Sequence, residues 1–170
     1  MQELGQRILI LLGHSRYDET CQQFLLDTGP YQEYGDNYLD FPQHGFQLAC
    51  RDNKIASVFF HIASKMVADG EFEQYSASLP GGIQTNDKRE HIEKRLDILR
   101  KNSKIILCSK GEKCYWDEYL YGFFILTVCF HQKTEEMRFV SIDTGLESLA
   151  SPTRSSPKRR RRIGRDRWTK

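Results

Sequence analysis

Gly122–Phe123–Phe124–Ile125–Leu126–Thr127–Val128–Cys129–Phe130–His131 is the stretch that decides the fold. It carries no acid, lysine or arginine, it is far too short to cross a membrane as a helix, and it is rich in aromatic and β-branched residues. It therefore reads as a buried strand. Alternation sets Phe124, Leu126, Val128 and Phe130 on one face, and Phe123, Ile125, Thr127 and Cys129 on the other. Lys54 to Ile62 repeats the pattern, with Ala56, Val58, Phe60 and Ile62 opposed to Ile55, Ser57, Phe59 and His61. Both faces of each strand are apolar, so the sheet has two faces to cover.

Working outward, Asp52-Asn53 is a hairpin turn between Gly45–Cys50 and Lys54–Ile62, because both residues tolerate the left-handed conformations a tight turn needs. Asn37–Phe41 is a further strand. Before these, Tyr17, Cys21, Phe24 and Leu25 fall at helical spacing, which predicts a helix from Ser15, its cap, to Thr28, ended by Gly29-Pro30. Ala63–Ala68 reads as a short helix, and Leu79-Pro80-Gly81-Gly82 as a turn. The plan then recurs. Asp87-x-x-Glu90 reads as a capping box, Ile92, Leu96 and Leu99 follow at helical spacing, and Arg100 and Lys101 suit a helix end. Strands are expected at Cys114–Tyr119, Gly122–His131 and Met137–Ile142. The expected architecture is α+β: two similar halves of a helix then three strands, about 13–63 and 79–143. They form one antiparallel sheet with the helices on one face, within a single domain, 1–149. The other face is left to Ile8–Leu12, to residues 63–78, or to a partner.

Leu79-Pro80-x-Gly82-Ile83, Asp87, Ile92, Leu96 and Trp116-Asp117-x-Tyr119 with the final pair of strands resemble the helix-plus-antiparallel-sheet unit of β-lactamase-inhibitor-protein-like domains. A related unit occurs in small bacterial outer-membrane assembly lipoproteins. The resemblance spans roughly Gly13 to Asp143. It implies a tandem duplication and an architecture suited to holding another protein, and no activity of its own.

Composition agrees with a folded chain: 39 % hydrophobic and 12 % aromatic residues exclude wholesale disorder. Ile8–Leu12 is too short for the apolar region of a signal peptide. Five cysteines with no C-x-x-C pair favour reduced thiols in a cytoplasmic or nuclear protein. The net charge of +2 hides an asymmetry. Residues 151–170 hold nine Lys/Arg against Asp166, a balance of +8, so the preceding 150 residues carry −6. Residues 150–170 are expected to be a disordered basic tail. Within it Lys158, Arg159, Arg160, Arg161 and Arg162 form a block that fits a nuclear import receptor or a nucleic acid, and Ser151-Pro152 and Ser156-Pro157 have the form of proline-directed phosphorylation sites.

Chemistry-bearing residues are sparse. Cys129 and His131 share a strand face and have the residue types of a nucleophile and its base, although a half-buried thiol beside a strand-end histidine is the simpler account of them. Asp40, Asp117 and Glu118 have the residue types for acid–base work or cation binding, and also those of solvated strand-edge carboxylates. Cys108 and Cys114 lack histidines at zinc-finger spacing, and Pro80-Gly81-Gly82 lacks the Lys-Ser/Thr of a phosphate loop. The expectation is a non-enzymatic protein-binding module of inhibitor, immunity or adaptor type, without cofactor, metal or membrane span. Its contact is Ile55, Phe59, His61, Phe123 and Ile125, with a homodimer as one arrangement. The alternatives are a nuclear or nucleic-acid-associated factor acting through the tail, and a Cys/His enzyme.

Overall fold

The computed structural model describes residues 3–35, 37–63, 72–98, 100–107 and 111–145. Within them the chain is α+β, with three helices and one eight-stranded antiparallel sheet. Helices α1 (Leu4–Ile10) and α2 (Glu19–Thr28) precede strands β1 (Gln32–Tyr34), β2 (Tyr38–Phe41), β3 (Phe46–Arg51) and β4 (Lys54–His61). Helix α3 (Arg89–Leu96) precedes β5 (Arg100–Leu107), β6 (Lys113–Tyr121), β7 (Phe124–His131) and β8 (Met137–Asp143). The sheet order is β1-β2-β3-β4-β8-β7-β6-β5. Four strands follow each of α2 and α3, where three were expected; the additions, β1 and β5, are the two edges.

Local chemistry sets the element ends. Helix α2 starts at Asp18, whose carboxylate accepts from the Cys21 N–H at 2.8 Å, so Asp18 and not Ser15 is the cap. Ser15 instead bridges Lys54. Helix α3 ends at Leu96 because Asp97 turns left-handed (φ 51°), and Arg100 and Lys101 open β5 rather than closing the helix. Asp87 is no cap: its carboxylate takes the Gln84 N–H at 2.9 Å and Arg95 Nη2 at 2.8 Å. Asp52 and Asn53 make the predicted hairpin, both at positive φ. Most of the predicted Ala63–Ala68 helix, Leu99, Cys108, the boundary near Leu149 and the tail with its basic block lie outside the described residues.

One alternate set of strand residues, among them Leu39, Phe41, Phe46, Leu48, Val58, Phe60, Leu126, Val128, Val140 and Ile142, forms the main core with Ile8 and Leu11, with Cys21, Phe24 and Leu25 of α2, and with Ile92 of α3. Phe24 meets Phe41 and Phe46 edge-on, at 6.1 and 6.3 Å between ring centres. Helix α3 is tied to the sheet by charge. Asp117, fully buried on β6, accepts from Arg89 Nη2 at 2.9 Å and from Ser103 Oγ at 2.6 Å, and the Arg89 guanidinium lies 4.0 Å from the Tyr115 ring centre. Burial alone would push the Asp117 carboxyl up. The bonds from Arg89 and Ser103 and the charges of Arg89 and Arg100 bring it below its ordinary value.

Residues 72–79 fold over the end of β4. The Tyr75 N–H bonds the His61 carbonyl at 2.8 Å and its ring packs on Phe60, while Phe72 lies over His61 at 4.3 Å. This crossing requires Gly45, at φ 69°: a Cβ there would lie 2.4 Å from the Tyr75 nitrogen.

Candidate functional site

The strand residues left out of the main core make the second face. Register alone defines its rows. Tyr38, Ala49, Ser57, Asp143, Ile125 and Leu120 lie side by side from β2 to β6. The next row is Asp40, Gln47, Phe59, Ser141, Thr127, Glu118 and Asn102, and a third runs His61, Phe139, Cys129, Trp116 and Lys104. Its apolar residues form a separate cluster: Cys114, Cys129 and Phe139 buried, with Phe59, Ile106 and Trp116 half-buried around them. Trp116 meets Phe139 edge-on at 5.2 Å.

Of the five residues expected to form the contact, Phe59, His61 and Ile125 stand on this face. Ile55 does not. Ala56 is an extra residue on β4 opposite Ala49 and Cys50, a bulge that shifts the alternation and sends Ile55 into the main core at 0 % exposure. Phe123 is not in the strand either; it sits at the β6–β7 turn, 93 % exposed, beside a cleft of about 470 Å³ lined by Lys101, Leu120 and Ile125. His61 is buried beneath Phe72, its Nε2 has no hydrogen-bond partner, and burial pushes it down to about 4. It is a floor of the face rather than a contact point.

Three carboxylates share this surface. Glu118 is well held, by Trp116 Nε1 at 3.1 Å, Asn102 Nδ2 at 3.3 Å and Lys104 Nζ at 3.7 Å. Asp40 accepts from Gln47 Nε2 at 2.6 Å, and Asp143 from the Ser57 hydroxyl. Burial raises both above the ordinary carboxylate range, for Asp40 against the Gln47 bond and for Asp143 against the Ser57 bond and the charge of Arg51. Among the described residues, neither Asp40 nor Asp143 has a cation within ion-pair distance.

His131 takes Thr134 as its Nδ1 partner at the β7–β8 turn, and Cys129 is fully buried. Asp117 lies with the main-core set, clamped by Arg89, and so is separated from Asp40 and Glu118 by the sheet itself. No cluster of His, Cys, Asp and Glu among the described residues is placed to hold a metal, and no described helix is long and apolar enough to cross a membrane. Sequence reasoning set Ser57 on this face and passed over Trp116, Phe139 and Asp143. The signal was available in part: Trp116, Glu118 and Leu120 alternate along β6 as Ile125, Thr127 and Cys129 do along β7. No protein-family model matches the chain, no curated protein matches it, and no solved structure matches it.

Proposed function

We propose that this chain is a non-enzymatic protein-binding module of inhibitor, immunity or adaptor type, and that it meets its partner through the second sheet face. The observation that carries the reading is the pair Asp40 and Asp143, both half-buried on this face and, among the described residues, in no ion pair, with Arg51 acting on Asp143 only from beyond ion-pair distance. Burying a carboxylate costs free energy unless a charge or strong donors meet it. A partner that brings Lys or Arg to these two positions completes a site that the chain leaves half made. We read the helices as covering the other side, because all their buried residues join the main core. We also read the two halves as similar, because the order β1 to β4 is met in reverse by β8 to β5. The partner is therefore a folded protein with a cationic, partly apolar protrusion. Phe59, Trp116 and Ile125 supply its apolar contact, each worth up to about 1.5–3 kcal/mol when fully buried and less for the half still exposed.

The test begins with a tagged full chain used as bait in its native host, followed by purification of the captured protein and reconstitution of the pair. Phe59→Asp is expected to weaken the reconstituted complex by about 100-fold, roughly 2.7 kcal/mol. Hydroxyl-radical footprinting should protect Tyr38, Phe59, Trp116 and Leu120. Unchanged binding of Phe59→Asp, with protection instead at Tyr17 and Leu26, overturns the proposal.

A further inference from the structure

We propose that the second sheet face is also the docking site of this chain's own basic block, Lys158–Arg162, which competes there with the partner. The inference rests on the reading of that face as a partner surface and adds its regulation.

Three observations meet at one place. The first is charge: the face holds Asp40, Glu118 and Asp143, two of them in no ion pair among the described residues, and the first 150 residues carry −6 against +8 in residues 151–170. The second is the point of departure. Strand β8 is flanked by β4 and β7 at the middle of the sheet, and it ends at Asp143 itself, so the tail leaves from the centre of the acidic surface. The third is reach. Twelve residues, thirteen Cα steps, lie between Gly145 and Lys158, giving a root-mean-square span of about 20 Å if the linker is flexible.

That span fits the target. Asp40 lies three strands from Asp143 and two residues along, or about 16 Å; Glu118 lies two strands away, or about 12 Å. In an extended block Lys158, Arg160 and Arg162 project to one side and cover about 13 Å. The two ends of the block, Lys158 and Arg162, thus match the separation of about 12 Å between Asp143 and Glu118 and approach that of about 16 Å between Asp143 and Asp40, and a tether whose natural span equals the required one gives the highest effective concentration. The block is the same one that fits an import receptor or a nucleic acid, so either ligand would free the face. Phosphorylation at Ser151 and Ser156 would act in the same direction by adding roughly 3–4 negative charges.

The experiment uses the full chain and trace trypsin, following cleavage within Lys158–Arg162 by intact mass. In about 50 mM salt the Asp40→Asn/Asp143→Asn variant should be cut at the block about five-fold faster than the parent. Raising salt to about 0.5 M should accelerate the parent to the variant's rate and leave the variant unchanged. A thermal unfolding curve verifies that the variant is folded; should it not be, Asp40→Asn with Glu118→Gln replaces it. Equal rates for parent and variant at low salt overturn the proposal. Protection that increases with protein concentration also overturns it, by placing the block on a second copy. Phe59→Asp retains both carboxylates, so its effect on partner binding tests the module reading separately from this one.

Discussion

Protonating His61 should destabilise this protein as pH falls below neutral. The imidazole lies beneath Phe72, 5 % exposed, with an unpartnered Nε2 and a folded-state value pushed down to about 4 from 6.5. Above pH 6.5 the ring is neutral in both states and contributes no pH dependence. As pH falls from 6.5 towards 4 the unfolded chain takes up a proton that the folded chain refuses, so stability declines through that window and levels off below it. Linkage between the two values amounts to about 2 kcal/mol by pH 5. For a domain of this size that corresponds to a fall in Tm of roughly 4–8 °C between pH 7 and pH 5. Asp40 and Asp143, raised by burial, act in the opposite sense as they protonate, so the parent curve alone does not isolate the histidine. The difference between the parent and His61→Phe does, because phenylalanine keeps a ring under Phe72 and has no proton to gain. Urea unfolding at pH 5, 6 and 7 should show the variant losing about 2 kcal/mol less than the parent across that range. Parallel curves for the two proteins would refute the assignment of His61 as a buried neutral group.

Asp117→Asn should cost about 3 kcal/mol in urea unfolding, since it leaves Arg89 and Arg100 facing a neutral amide. Because the Asp117 carboxyl is held below its ordinary value, its stabilisation persists above the usual carboxylate range and fades only as pH falls through its folded value. Ile92→Ala should destabilise by about 2–4 kcal/mol and by more than Leu96→Ala, because Ile92 is fully buried while Leu96 is only half-buried; the reverse order would mean α3 is rotated. Gly45→Ala should cost at least about 2 kcal/mol and expose Tyr75, read as a blue shift in tyrosine absorption and loss of near-UV circular dichroism, since a methyl there strikes the backbone of residues 73–75.

The interior of the sheet was legible in the sequence and its margins were not. Strands β2, β3, β4, β7 and β8 lie against neighbours on both sides, so their apolar and β-branched residues keep a period of two that a reader can find. Strand β5 is an edge. Its Arg100-Lys101-Asn102-Ser103-Lys104 run carries no such period, and only its pairing with β6 makes it a strand. Most of the candidate face was visible for the same reason, and Ile55 was misplaced for a specific one. A bulge is set by how two strands fit each other; nothing in Lys54–His61 read by itself announces that Ala56 lacks an opposite residue. Asp143 was missed because a carboxylate at a strand end is ordinary until register sets it beside Ser57.

The seam between β4 and β8 has a consequence for how the chain folds. Every other pairing in the sheet joins strands that are consecutive in sequence, so β1 to β4 and β5 to β8 assemble by local steps. Only the β4–β8 ladder, Ser57 to His61 against Phe139 to Asp143, unites them, across 86 residues from Ser57 to Asp143. Closing a loop of that length from an open chain costs about 4 kcal/mol of entropy. The cost falls once the hairpins between have formed and shortened the effective loop. Topology therefore predicts that docking of the two meanders along this five-pair zipper limits the rate, so that truncating Val58 or Val140 should slow refolding in stopped-flow measurements more than changes at the hairpin turns do.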